Sequence, residues 1–304
     1  MNMSAARSIS ASASASAVKS VGALAKTAAV LGAAAVLLSA AFAQEALTAK
    51  TVRRIAAPEA DQGAALGESH VYAVDNSVIA KYNLETGEKT AQYDDAERLL
   101  RHMNSCLVID NRLMCANSNY SQLPMGSSVE TFDAKSLEHL ESRSLGLMDE
   151  GSLVWVDRIE GGWLVGFAHY DGERGTGFKD HTYASVITMD DDWRRTGGWL
   201  FPDDVMARMA PHAASGGAVG PDGLLYVLGH DRPEMYVLAK PLRGPVLTHV
   251  TTIAVEAEGQ AFSFAPDGAR RIAAVDRRKG EILLIDLPEV GTSGLSGTQF
   301  FRKR

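Results

Sequence analysis

The side chains able to do chemistry in this sequence are gathered in short clusters: His169-Tyr170-Asp171, His230-Asp231 and Asp276-Arg277, with single ionisable residues at Asp61, His102, Glu150, His212 and Glu258. Imidazoles beside carboxylates carry protons near neutral pH, which makes His230, His169 and Asp231 the candidate catalytic residues. The same donors hold divalent cations. His102, Glu150, His212 and Glu258 are candidate ligands for one ion, calcium if oxygen dominates the set and zinc or manganese if imidazole does. Asp61, Asn104, Tyr170, Asp171, Asp276 and Arg277 complete the candidate ligand-binding residues. Spacing lends these assignments no separate support: there is no His-Glu-x-x-His, no Cys-x-x-Cys, no Asp-rich calcium loop, and no Gly-x-Ser-x-Gly around Ser152 or Ser215. A plainer reading stands beside them, in which Asp231 and Asp276 cap turns and His169 and His230 bond neighbouring carbonyls.

What would bring such scattered residues together is a repeat. Gly220-Pro221-Asp222-Gly223 recurs as Ala265-Pro266-Asp267-Gly268, and His230-Asp231-Arg232 as Val275-Asp276-Arg277, both at a shift of 45 positions. A period of that size, filled with short apolar strands between Gly, Pro, Asp and Asn, is the mark of a β-propeller with one four-stranded blade per repeat. With the innermost strand of each blade named A, the starts fall near Gln62, Asn104, Gly151, His212 and Gln260. The one long interval contains the Gly-rich insertion Asp171 to His181. Short helical turns are expected over Asp94 to Met103 and Asp203 to Met209.

The fifth blade lacks a D strand after Glu281 to Leu287, and the segment Ala49 to Pro58 is left to supply it from the other end of the chain. The expected fold is therefore all-β, a propeller of five blades of four antiparallel strands, its ring closed by an N-terminal strand; six blades is the alternative. In this architecture the D-to-A and B-to-C connections open on one face, and that face gathers the candidate catalytic, ligand-binding and metal-binding residues. The four tryptophans, Trp155, Trp163, Trp193 and Trp199, all fall in blade three, where they are expected to pack between blades.

Residues 1–43 form a separate object. Arg7, Lys19 and Lys26 precede an apolar run from Ala28 to Ala43 that ends in Ala41-Phe42-Ala43, the pattern of a secretory signal cleaved before Gln44. The propeller then spans 44–289, and 290–304 is a tail expected to be disordered or to dock on a partner. Removing three of the 30 cations leaves 27 against 37 acids, a formal charge of −10, with no basic patch for nucleic acid. The location is periplasmic or secreted, with no membrane anchor after cleavage. In such a compartment two cysteines are free to pair. If Asp110-Asn111 is a two-residue hairpin turn, Cys106 and Cys115 face each other at a non-hydrogen-bonded pair, close enough to bridge.

The Pro-Asp-Gly turns and the segment Val275-Asp-Arg-Arg-Lys-Gly-Glu281 resemble the exported bacterial propellers of the broad YncE, NHL and SMP-30 lactonase group. The resemblance lies in repeat grammar and covers most of residues 49–288. A lactonase of that group implies a divalent cation held by Glu, Asn and Asp in the channel, parts for which Asn104 with Glu150 or Glu258 are available. The leading expectation is an exported propeller that binds a small molecule or an exported or envelope protein at its acidic, histidine-bearing face. The alternative is a metal-assisted hydrolase, lactonase or cycloisomerase-like enzyme on the same face.

Overall fold

A computed structural model describes residues 47–172 and 175–303. The expected secretory segment and its cleavage point lie outside the described residues. The described chain forms five four-stranded antiparallel blades in sequence order. Blade one is Gly63–Leu66, His70–Val74, Val78–Asn83 and Lys89–Asp94; blade two is His102–Ile109, Arg112–Ser118, Gly126–Asp133 and His139–Leu147. Blade three is Ser152–Ile159, Gly162–Ala168, Ser185–Met189 and Arg195–Leu200, and blade four is Gly216–Val219, Leu225–Leu228, Glu234–Pro241 and Thr248–Ala254. Blade five takes three strands from the C-terminal part, Ser263–Phe264, Arg271–Asp276 and Glu281–Asp286. Its outer strand is Lys50–Ala56, which pairs with Glu281–Asp286 and closes the ring.

Burial explains the order of strands. Inner and middle strands are mostly buried on both faces, as in Leu225–Leu228, whereas outer strands alternate or turn polar. The interior is divided into clusters that sit between neighbouring blades; one joins Ile272, Leu283 and Ile285 of blade five to Tyr226, Met235 and Val237 of blade four. The repeat copies its backbone as well as its letters. Gly223 and Gly268 both adopt φ +78°, the left-handed conformation that each Pro-Asp-Gly turn needs and that a side chain would strain. The preceding aspartates cap their turns, Asp222 accepting from Leu224 N–H and Asp267 from Ala269 N–H.

The hairpin at Asp110-Asn111 has positive φ at both residues, 47° and 61°, as a primed two-residue turn requires. Cys106 faces Cys115 in the register, their Cα atoms 4.0 Å apart, and the two are joined by a disulfide. The tryptophans pack as expected: Trp155 is fully buried, Trp163 stacks on Trp193 at 4.7 Å, and Trp199 meets the Phe301 ring edge.

One expected element is absent. Asp203–Met209 is helical, but no helix forms between Asp94 and Met103. There the Asp95 carboxylate captures Leu100 N–H at 2.6 Å and Arg98 takes φ +53°, which together make a compact loop that a helix cannot continue through. The tail is seated on the propeller itself: Thr298–Gln299 pairs with Lys240 and Pro241, Phe301 is buried, and Lys303 Nζ donates to Val219 carbonyl oxygen.

Candidate functional site

The chain direction within the blades puts the heads of the inner strands on the face that carries the D-to-A and B-to-C connections, here the head face. Polar side chains stand at the heads of all five inner strands, namely Gln62, Asn104, Ser152, Ser215 and Gln260, and every one is buried. Two of them are satisfied within the chain: Gln62 donates to Asp61 and Ser152 to Ser118. The other three each bury an atom with no hydrogen-bond partner, Asn104 Oδ1, Ser215 Oγ and Gln260 Nε2, and His169 Nδ1 in blade three is in the same state. Such atoms are rare in folded proteins because burial without a partner costs about 1–3 kcal/mol each. Asn104 owes its direction to a bulge between Met103 and Cys106, and Gln260 is held at φ +69°.

Around these heads runs an arc of rings. His102 packs on Tyr120 at 5.2 Å, Tyr120 meets Tyr170 edge-on at 5.2 Å, and Tyr170 meets His212 and His230 at 5.5 and 6.3 Å. His212 and His230 lie against each other, centroids 4.2 Å apart and planes 33° from parallel. Between them Asp231 accepts from both rings, Oδ2 from His212 Nδ1 and Oδ1 from His230 Nδ1, each at 2.7 Å. Burial lowers the proton affinity of the His230 imidazole, against the pull of Asp231; for Asp231 burial works upward, but the two imidazole donors prevail and hold it below the ordinary carboxylate range. Burial drives His102 down to about 4, so it is neutral at pH 7, and its Nδ1 bonds Asn76 Oδ1 at 2.6 Å. Enclosed beside Ser215, Tyr170 has its phenol pKa raised by burial.

The candidate residues divide into those the fold unites and those it separates. His212, His230, Asp231 and Tyr170 are in contact. Asp61 and Arg277 pair with each other at 3.3 Å. His169 is buried against Asp149 carbonyl oxygen at 3.4 Å, and burial lowers its pKa. Asp171 accepts from His181 N and Nδ1, both at 2.9 Å, and so clamps the insertion to its own base. Asp276 pairs with Lys279 at 2.9 Å. The four candidate metal ligands do not converge: Glu150 pairs with Arg195, Glu258 with Arg278, His102 with Asn76, and His212 with Asp231. Each connection spends its acid on a cation of a neighbouring strand or loop. Among the described residues, the groups of three close enough to share an ion are His212–His230–Asp231 and Asp171–Asp180–His181.

Tyr120 and Gln260 were not singled out by residue type, and Ser215 was weighed only as a nucleophile without a motif around it. Tyr120 joins His102 to Tyr170 from a B-to-C loop with no motif of its own. Gln260 and Ser215 occupy one position of the 45-residue repeat, and a polar residue recurring at a strand head, as Gln62 does too, is the signal that marks them.

The large cavity opens on the opposite face. A funnel of about 1190 Å³ is lined by Leu107, Val156, Phe262 and Phe264 at its throat and by Lys81, Asp133, Arg158 and Lys303 at its rim. The channel narrows toward the head face because the inner backbones touch there: Gly63 bridges Ala261, and a Cβ on Gly63 or Gly216 would stand 2.7 Å from Ala261. Several of the funnel's charges are engaged within the chain. Lys81 Nζ donates to Lys135 carbonyl oxygen, Arg158 pairs with Asp191, and the fully buried Asp157 accepts from Val219 N–H with Lys303 Nζ 3.9 Å away. Burial is the main cause that raises the Asp157 pKa, and Lys303 opposes it.

No protein-family model matches the chain, and no curated protein matches it. Solved structures align with it over most of their length. A chain from the crystal structure of a mitotic checkpoint complex aligns over 81% of this chain and 94% of its own at 8% identity and TM-score 0.41. The structure of U3-55K aligns over 79% and 96% at 10% identity and TM-score 0.40. Neither likeness bears on function.

Proposed function

We propose that this chain is an exported binding propeller whose head face holds a small polar ligand. The observation that carries the reading is the set of buried, unpartnered polar atoms, Asn104 Oδ1, Gln260 Nε2 and His169 Nδ1, behind an arc of tyrosine and histidine rings. A ligand that both donates and accepts hydrogen bonds satisfies such atoms, and the rings give it apolar walls. Hydroxylated compounds have this chemistry, sugars and sugar lactones among them. The funnel on the opposite face has a volume of about 1190 Å³, but Lys81, Asp133 and Arg158 on its rim already have partners in the chain.

A partner protein is the second reading. Leu99, Leu123, Leu147, Phe178 and Tyr183 are large, exposed and carried by or beside connections of the head face.

The test is a thermal-shift screen of the purified protein against monosaccharides, sugar acids and lactones. A compound that stabilises the wild type and fails to stabilise Asn104→Ala and Gln260→Ala, with both variants folded, supports the reading. A compound whose binding survives both substitutions and is lost on substitution at Phe262 or Phe264 overturns it in favour of the funnel. Export is tested separately by fractionation and N-terminal sequencing: mature protein outside the cytoplasm beginning at Gln44 supports it, and an unprocessed cytoplasmic chain overturns it.

A further inference from the structure

We infer that His212, His230 and Asp231 form a site for one late first-row divalent metal ion of the zinc class. The donor set comes from two connections of a single blade. His212 lies between the helix Asp203–Met209 and the inner strand Gly216–Val219, and His230 and Asp231 follow the strand Leu225–Leu228. One ligand atom from each of the three lies within 4.8 Å of the others. Tetrahedral zinc with bonds near 2.0–2.1 Å needs its donors roughly 3.3 Å apart, so small rotations of the two partly exposed imidazoles bring their Nε2 atoms onto one ion.

The arrangement around Asp231 is what distinguishes this group from a surface ion pair. A single carboxylate accepts from Nδ1 of both imidazoles, so both rings carry their proton on Nδ1 and present Nε2 as a lone pair. Neither Nε2 has a hydrogen-bond partner among the described residues. A carboxylate that fixes the tautomer and aim of a ligating histidine is the usual outer partner of a metal-bound imidazole, and here one carboxylate serves two. The rings lie tilted against each other, centroids 4.2 Å apart, and Tyr170 packs edge-to-face against both. Two imidazole nitrogens select zinc, copper or nickel over calcium or magnesium, which prefer all-oxygen shells. With two imidazole ligands from the chain, both partly exposed, and Asp231 behind them, the ion keeps coordination positions open toward the head face.

The second group, Asp171–Asp180–His181, serves as the internal control. Its atoms are engaged in the loop clamp: Asp171 holds His181 by backbone and ring, and Asp180 caps the turn at Thr182.

The site is tested on the purified protein, stripped with a chelator and titrated with zinc chloride against a chromophoric competitor, with bound metal counted by elemental analysis. The expected result is one zinc per chain. His212→Ala and His230→Ala should each weaken binding by at least roughly tenfold, and Asp231→Asn by roughly 10- to 100-fold, with thermal unfolding midpoints close to wild type. His181→Ala should leave affinity unchanged. Cobalt(II) in place of zinc should give a visible absorption band that the His230→Ala variant lacks. The inference is overturned if the protein takes up no zinc at tenfold excess, or if zinc binding survives the double His212→Ala, His230→Ala variant or is lost in His181→Ala. Asn104→Ala and Gln260→Ala should bind zinc as the wild type does, so failure of the metal site and failure of the ligand reading are told apart.

Discussion

The two ends of the propeller channel are made by the same five inner strands, and they treat their polar groups in opposite ways. At the head end the strands converge until Gly63 touches Ala261, yet Asn104 and Gln260 bury amide atoms with no partner, and two histidines share one carboxylate. At the far end the strands splay into a funnel of about 1190 Å³, yet Asp157, Arg158 and Lys81 are all paired, and the chain's own tail lies across it. Cavity size therefore does not locate the function. Unmet polar capacity in buried atoms is a cost that folding alone does not explain, whereas buried charges with partners, such as Asp157 and Arg158, are what folding alone produces. The comparison implies that substitutions at the far end lower stability and that substitutions at the head end lower binding.

The strongest way to break that contrast is at Asp157. Replacing it by alanine leaves Val219 N–H and Arg158 N–H without their acceptor and Lys303 without its counter-ion, and the stability should fall by about 4 kcal/mol. Urea denaturation measures it, and a loss below 1 kcal/mol would mean that the far end is not the stabilising one.

His102 sets the next effect, and its sign follows from burial. The folded imidazole gains a proton only near pH 4 and the unfolded one near 6.5, so its contribution is complete above about pH 6.5. It is lost as pH falls toward 4, by up to ~3 kcal/mol. His102→Gln should flatten the acid limb of a stability-versus-pH curve, and a limb parallel to wild type would show that other groups carry it.

A smaller effect sharpens the comparison from the head side. Gln260→Gly removes an unpartnered amide and relieves φ +69°, so the unfolding midpoint should hold or rise, by less than about 1 kcal/mol, while ligand binding is lost. A clear destabilisation would show that Gln260 is a structural residue. Least of all, Arg278→Ala should change stability by no more than about 0.5 kcal/mol, because its pair with Glu258 is solvent-exposed. A shift beyond 1 kcal/mol in thermal unfolding would reveal a network around Glu258.

The elements that were legible in the sequence are those fixed by local chemistry. The Pro-Asp-Gly turns need a left-handed glycine at a set place, the Asp110-Asn111 turn dictates which residues face each other, and strand composition separates inner from outer strands. Even the closing strand could be inferred, because blade five was one strand short. The loop at Asp95 was not legible, since its helix-like composition gives way to one side chain capturing Leu100 N–H. The site was legible only to its face. Spacing places Asp61, His102, Glu150, His212 and Glu258 at equivalent entrances, but each side chain's direction depends on a partner two or more strands away. Arg195 draws off Glu150 and Arg278 draws off Glu258, and no periodicity encodes those choices.

The closing strand has a consequence in time. Arg54 bonds Glu281, 227 residues further along the chain. The segment Lys50–Ala56 therefore leaves the ribosome before any blade exists and finds its partner only when the last one is made. At ordinary rates of synthesis, roughly 5–20 residues per second, that is a wait of roughly 10–50 s with an unpaired strand at the front of the chain. Wherever the chain folds, ring closure joins the most distant partners of the described sequence, so its loop-closure entropy must be met before that last strand pairing stabilises anything.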